Sequence, residues 1–403
     1  MFDFLQPILL AYRATFENPI MALFTGLSIM QLYMGIQRMR RVRQENQTWA
    51  AEPFNRWRKQ IGDDLSFYVA VPIGVLIHEL GHAIVVWALG GRVLEFGFFF
   101  FWGYVLPSQS WGPNAQWVLS SAGTWGNVLF ALVVWLALRN HPLRTVRYAM
   151  LRTVRFQIYF AFLYYPLFTA FLQIGDWRTI YDFEATPMLA GGMAVVHVAI
   201  LLAYWWSDRQ GRFDMPAFQT VEMQEQYEQL ANTKTAAAQL QRLVLLQRSG
   251  SSKHAQTLAK RLVGEYPDSA EIHLLAAASG VEQSDDISQS AADHARQALA
   301  IGLTDPASRA NAHFIIGGYH VRRHEIDQAI ERFNQALANL PGQNSANIHR
   351  IYYARAGAYR RANRDEDTIR DLTQALRLAE QQRHVQWAKQ YRDELDAMQR
   401  TRR

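Results

Sequence analysis

Residues 78–82 read His-Glu-Leu-Gly-His, within VPIGVLIHELGHAIVVWALGG. On a helix, side chains four positions apart share a face, so His78 and His82 can present two imidazoles to one cation. Zinc held by such a pair lowers the pKa of a coordinated water to about 7. Glu79 is placed to take the proton of that water and to pass it to a leaving amine. The chemistry is hydrolysis of a peptide bond. On a soluble helix the same five residues are compatible with solvated side chains. Here they sit at the centre of an apolar run. A carboxylate and two imidazoles are costly there unless they are paired or ligate a metal, so a metal site is the expectation.

A catalytic zinc takes three protein ligands and keeps one position open. The chain has no cysteine. Thiolate ligation and a disulfide framework are excluded, and the third ligand must be His, Asp or Glu. The first acidic residue after Glu95 is Asp176, in FLQIGDWRTIYDF, with Asp182 and Glu184 as rivals a few residues on. The depths of the ligands conflict. His78 lies near the middle of its apolar run, whereas Asp176 follows another run at its far end. A break at Pro166, a deeper helix start or a tilt would reconcile them.

The elements that must carry these residues are membrane spans. The chain has 403 residues, half of them hydrophobic, and a net charge of +6. Apolar runs crowd the part before residue 206. Five of them approach the roughly 20 residues a bilayer requires: Pro19–Ile36, Ser66–Leu89, Gln116–Leu138, Phe156–Ile174 and Pro187–Trp206. The basic stretches RMRRVR and RNHPLRTVRYAMLRTVR fall on one side of a five-span arrangement, which puts the N-terminus outside and the C-terminal part in the cytoplasm. The first residues lack the basic start of a cleaved signal peptide. Between the second and third spans, Arg92–Pro107 (RVLEFGFFFFWGYVLP) is short, aromatic and strand-like. Unpaired strand backbone is untenable in lipid, so a hairpin or re-entrant element packed on the helices is expected. No basic stripe with interleaved aromatics argues for nucleic acid.

Beyond a linker at 207–220, residues 221–403 become polar and helical. Ala310–Pro341 is similar to a tetratricopeptide repeat, with Gly317, Ala329, Phe333, Ala336 and Pro341 at the matching positions. Ala354–Glu380 looks like a second copy, with Ala356, Tyr359, Leu372 and Ala375 in equivalent places and Thr368 where alanine is usual. AADHARQALAIGLTDP and AQTLAKRLVGEYP look like degenerate copies. Stacked helical repeats present a groove whose usual role is binding a protein or peptide. The expected fold class is therefore mainly α: a transmembrane helical bundle over 1–206 with a small β-like element, then a soluble helical-repeat domain.

HELGH within a membrane helix, a glycine-bounded β-like segment and a later aspartate together resemble the site-2 protease family of intramembrane zinc metalloproteases, over roughly Ser66–Phe183. The resemblance implies that His78, His82 and Asp176 hold zinc and that Glu79 is the general base. It also matches SSAGTWGN, Ser120–Asn127, to the family's Ala-Gly-Pro…Asn element, with Thr124 where proline is common. Asn127 would then contact a substrate backbone or oxyanion, or else serve helix packing. Gly175-Asp176-Trp177 departs from the family's Leu-Asp-Gly. The resemblance implies a membrane-protein substrate, unwound locally and paired with the Arg92–Pro107 segment, and a bacterial inner membrane. The repeats would recruit substrate or a regulator. A membrane-anchored scaffold without activity and a metal transporter are the competing readings. Internal duplication and charges on several spans, which a transporter would show, are absent from the sequence. His197 is expected to be packed rather than a ligand, and His313, His320 and His324 to be solvated or packed on the repeats.

Overall fold

The computed structural model describes residues 10, 12–13, 17, 19–44, 52–172, 175–281, 287–340 and 348–401. The chain divides into two compact units, Met1–Gln224 and Glu225–Arg403. The division falls beyond the expected linker because the chain after residue 214 packs back on the first unit. The Phe218 N–H donates to the Phe54 carbonyl at 2.8 Å, and the Phe54 N–H donates to Gln224 Oε1 at 2.8 Å.

Helices dominate the first unit: α1 (Pro19–Gln44), α2 (Arg56–Leu65), α3 (Val71–Ala88), α4 (Pro113–Leu138), α5 (Arg144–Tyr159), α6 (Tyr165–Leu172), α7 (Asp176–Ile180) and α8 (Pro187–Arg209). Wide π-helical turns at Ser66–Ala70 and Phe160–Tyr164 join α2 to α3 and α5 to α6 without a break. Among the described residues, three helices are long and apolar enough to cross a membrane: the continuous Arg56–Ala88, Pro113–Leu138 and Pro187–Arg209. They contain most of the expected second, third and fifth spans. The other two expected spans, Pro19–Ile36 and Phe156–Ile174, are helical but are not among these three. Residues 173–174 lie outside the described residues.

The outward faces of the three helices are apolar. Ile84, Leu129 and Leu202 are about three-fifths exposed and Val195 is 72% exposed. Water would penalise such contiguous apolar faces. At the C-terminal ends of α4 and α8, guanidinium groups lie over indole rings: Arg139 over Trp135 at 4.7 Å, Arg209 over Trp205 at 4.8 Å and Arg212 over Trp206 at 4.0 Å. Such aromatic–cation pairs suit a headgroup layer. Ion pairs Arg152–Asp63 (2.6 Å), Arg155–Asp208 (2.9 Å) and Lys59–Asp214 (2.5 Å) gather the polar ends of α2, α5 and α8.

Arg92–Pro107 is a two-stranded antiparallel hairpin, β1 (Val93–Phe98) and β2 (Gly103–Pro107), with a register irregularity between Val93 and Glu95. Its turn is all aromatic. Phe100 takes the left-handed conformation at φ 63°, and Phe99 stacks on Trp102 with centroids 4.6 Å apart. Both strands pack on α3, as an element with partnerless backbone would have to.

The second unit is entirely helical over its described residues: α9 (Val221–Ala231, whose last residues open the unit), α10 (Ala236–Arg248), α11 (Ser252–Glu265), α12 (Ala270–Val281), α13 (Gln289–Ile301), α14 (Pro306–Arg322), α15 (Ile326–Ala338), α16 (Ile348–Arg361), α17 (Asp365–Gln381) and α18 (Val385–Thr401). Consecutive helices pack in pairs. A Cβ on Gly317 would lie 2.7 Å from the Phe333 ring, so the glycine is what lets that aromatic enter between α14 and α15. Ala329, Phe333 and Ala336 are buried, and so are Ala356, Tyr359, Leu372 and Ala375 in the next pair. Thr368 is buried too, and its hydroxyl donates to the Arg364 carbonyl at 2.9 Å, which satisfies the polar atom where alanine would need none. Pro341 lies outside the described residues.

His349 is buried, with Nδ1 3.0 Å from the Tyr391 hydroxyl and the His384 ring 4.9 Å away. Burial, reinforced by His384 and Arg350, lowers its pKa to about 4. An unfolded chain protonates this ring near pH 6.5. The unfolded state therefore binds more protons between those values, and the stability His349 contributes is complete above about pH 6.5 and is lost as the pH falls toward 4. The urea midpoint of the C-terminal helices, followed by proteolysis in the full chain, should drop between pH 7.5 and 5. The drop should shrink in His349→Gln. An equal drop in both proteins would remove His349 as its source.

Candidate metal centre

The site is assembled at the seam between α3 and α4. Glycines make the seam close. A Cβ on Gly81 would sit 2.8 Å from the Ala122 carbonyl oxygen, and one on Gly126 would sit 3.1 Å from that of Ile77. Small residues are the means by which helices approach in apolar surroundings, where no hydrophobic force draws them together. Between these two contacts Gly123 faces the motif histidines. A Cβ there would lie 2.4 Å from His78 Nε2 and 2.5 Å from His82 Nε2.

His78, Glu79 and His82 are all buried. The two imidazole rings are 4.8 Å apart, and both Nε2 atoms face Asp176 Oδ2, at 3.0 Å from His78 and 3.1 Å from His82. One ligand atom from each of the three residues lies within 4.8 Å of the others, and this is the group among the described residues that could hold a metal ion. Asp176 is thus the third member expected. Of its rivals, Asp182 is spent on a local turn, its Oδ1 accepting from the Glu184 and Ala185 N–H groups at 3.2 and 2.9 Å. Glu184 is exposed.

The conflict of depth is resolved by the backbone around Pro166. Proline has no N–H, so the Phe162 carbonyl, four residues earlier, loses its helical donor. The chain widens into the π-helical turn at Phe160–Tyr164, and His197 of α8 donates its Nε2–H to that carbonyl. The other ring nitrogen of His197 then accepts from the Tyr181 hydroxyl, just past α7. His197 is therefore a packed histidine, as expected, and it fastens α7. Trp117 adds a second fastening, donating Nε1–H to the Ile180 carbonyl at 3.1 Å. Trp177 is fully buried against Phe162 and His197. Gly175, at φ 103°, provides the reversal that a side-chain-bearing residue rarely adopts. The chain thereby turns back and brings Asp176 to the histidines.

Proton positions decide what the three atoms can hold. His82 Nδ1–H donates to the Leu119 carbonyl at 2.8 Å, which leaves a lone pair on Nε2. His78 Nδ1 lies 3.4 Å from Asn127 Nδ2, and Asn127 Oδ1 is buried without a partner. Amide nitrogen and oxygen are assigned from their neighbours. Turned by half a rotation, Asn127 accepts from His78 Nδ1–H through Oδ1, and His78 also offers a lone pair at Nε2. Two imidazole lone pairs and a carboxylate oxygen then converge and repel one another unless a proton or a metal ion lies between them. Ligand atoms about 2.0–2.1 Å from one zinc would lie within roughly 3.5 Å of one another, so the donor set fits a metal. Asn127 stands behind His78 and orients it, in the manner of the outer hydrogen bonds that fix metal-bound histidines.

Two groups had no signal in the sequence reading. The Tyr165 hydroxyl donates to Asp176 Oδ2 at 3.2 Å and accepts the Asp176 N–H at 3.2 Å. Gly103, at the start of β2, is the other: a Cβ there would lie 2.6 Å from Glu79 Cγ. The hairpin therefore closes directly over the glutamate, whose side chain makes no hydrogen bond among the described residues. No family model matches the chain, and no curated protein is detectably similar to it.

Proposed function

We propose that this protein is a membrane-embedded zinc metalloprotease of the site-2 protease type that hydrolyses peptide bonds in or beside the transmembrane segments of other membrane proteins. The reading rests on one observation above all: His78, His82 and Asp176 converge beside Glu79 on an apolar, span-length helix. Two imidazoles and a carboxylate with room for a further ligand are the donor set of a catalytic zinc. When bound, zinc supplies Lewis acidity toward a water molecule and a peptide carbonyl. Glu79 accepts a proton from water as its oxygen bonds to the carbonyl carbon, and then delivers that proton to the leaving amide nitrogen as the C–N bond breaks. Tyr165 holds the second lone pair of Asp176 Oδ2, and Asn127 and the Leu119 carbonyl hold the two rings.

The arginine-rich segments support a five-span membrane unit, with α1 and α5–α6 as its further spans and the C-terminal unit in the cytoplasm; the bacterial inner membrane is what the family resemblance implies. The hairpin offers its strand backbone to a locally unwound substrate, and Gly103 brings that edge to Glu79. The second unit is read as tetratricopeptide-like and as a recruiter of substrate or regulator. A scaffold without activity would have no need for Asp176, carried back by Gly175, to meet the histidines.

Metal removal tests the reading. Protein purified in detergent should contain stoichiometric zinc and cleave members of a panel of tagged single-span membrane proteins. It should stop after stripping with a chelator and recover on zinc addition. Metal-free protein that still cleaves, or zinc-loaded protein that cleaves none of the panel, would sink it.

A further inference from the structure

The second unit contains a cavity of about 370 Å³ that the metal chemistry leaves unused. It lies among α14, α16, α17 and α18, over an apolar floor that includes Phe314, Val321 and Leu372. Its rim is basic. Arg322, Arg360 and Arg361 line it against a single carboxylate, Glu394. That carboxylate is engaged already, at 3.3 Å from Arg360 Nη1 and 2.5 Å from the Tyr353 hydroxyl. Arg361 is exposed and has no ion-pair or hydrogen-bond partner among the described residues.

Gly357 lines the same cavity from the interior of α16. Glycine inside a helix costs about 0.5–1 kcal/mol relative to alanine, so it calls for a reason. Packing among the described residues is not the reason: a Cβ at Gly357 would have nothing within 4 Å of it there. A close approach of something outside the fold is the remaining use of that space.

The pattern repeats along the unit. His324 and Asn363 take the same left-handed conformation, φ 60° and 57°, just after α14 and α16. Arg322 and Arg361 each stand two residues before that turn. Gly318 and Gly357 each stand one helical turn before the arginine, on the same face. The first glycine accommodates the Ile287 side chain, whose Cδ1 would be 2.2 Å from a Cβ at Gly318. The second is open.

We propose that this groove binds an extended acidic segment of a partner protein, with side-chain carboxylates on Arg361 and Arg322 and an apolar residue on the floor. Gly357 lets the backbone of that segment pass against α16. Guanidinium groups on successive repeats suit carboxylates spaced along an extended chain, and that of Arg361 can pair bidentately; Arg322 Nη1 also donates to the Ile287 carbonyl at 3.3 Å. The proposal deepens the recruiting role given to the second unit and stands apart from the metal site, because its readout is binding.

Fluorescence anisotropy with full-length protein in detergent tests it. The probes are acetylated and amidated peptides bearing two glutamates that flank leucine or phenylalanine, and their glutamine counterparts. The acidic peptides should bind at least tenfold more tightly than the glutamine peptides and weaken with salt. Gly357→Leu, which fills the groove and suits a helix, should lose binding tenfold or more with a melting temperature no lower than the wild type's. Arg361→Glu should do the same. Equal binding of the glutamine peptides, undiminished binding by Gly357→Leu, or binding only of peptides with a free C-terminal carboxylate would overturn the proposal.

Discussion

Glu79→Gln is expected to lower proteolytic turnover by about 10²–10⁴-fold while zinc content stays at the wild-type level. The expectation follows from the division of labour on α3. The Nε2 atoms of His78 and His82 face Asp176 Oδ2, and Glu79 is buried beside them, under Gly103 of the hairpin, without a side-chain hydrogen bond among the described residues. Glutamine keeps the shape and removes only the basicity. It also removes a buried charge, so stability should not fall. The measurements are metal content by mass spectrometry and cleavage of a tagged membrane substrate in the same preparation. Retained cleavage would show that the proton goes elsewhere. Loss of both zinc and cleavage would mean that Glu79 is a ligand, and the assignment of roles would have to change.

Gly123→Ala should weaken zinc binding by about 10- to 100-fold, although the substitution adds one methyl group and touches no ligand covalently. Its Cβ would stand 2.4 and 2.5 Å from the two ligand nitrogens, well inside contact distance. The rings have little room to retreat. The Leu119 carbonyl holds His82 from behind at 2.8 Å, and Asn127 stands behind His78. Gly126→Ala is the control, because its Cβ would meet Ile77, the carbonyl oxygen at 3.1 Å and Cγ2 at 3.6 Å, and no ring. Competition with a chromophoric chelator gives both affinities. Equal affinities for the two variants would place the metal away from the Nε2 atoms.

The four residues that the family resemblance assigns to the chemistry meet in space, although no family model and no curated protein matches the chain. Asp176 is the instructive member. As the first acidic residue after a long stretch without any, it was the candidate by elimination, with Asp182 and Glu184 close behind. The choice among the three was made by Gly175 and by the fastening of α7 through Trp117, Trp177 and the Tyr181–His197 pair. The strand-like segment was legible because its aromatic residues and bounding glycines have no helical period. Its position over Glu79 was not legible, because that depends on Gly103 meeting a side chain on another element.

Sequence alone determined what lies within a turn or two of backbone. The spacing of His78 and His82, the apolar runs, the aromatic hairpin and the small residues of the helical pairs all follow from the fixed periods of helix and strand. Tertiary structure decided what is far apart along the chain. His78 and Asp176 are separated by 98 positions, and their meeting depends on a proline that frees one carbonyl, a histidine on a third helix that takes it, and a glycine that turns the chain. The physical reason is that hydrogen-bond satisfaction and close packing in an apolar interior are properties of the assembled helices, and no local period encodes which distant donor will complete them.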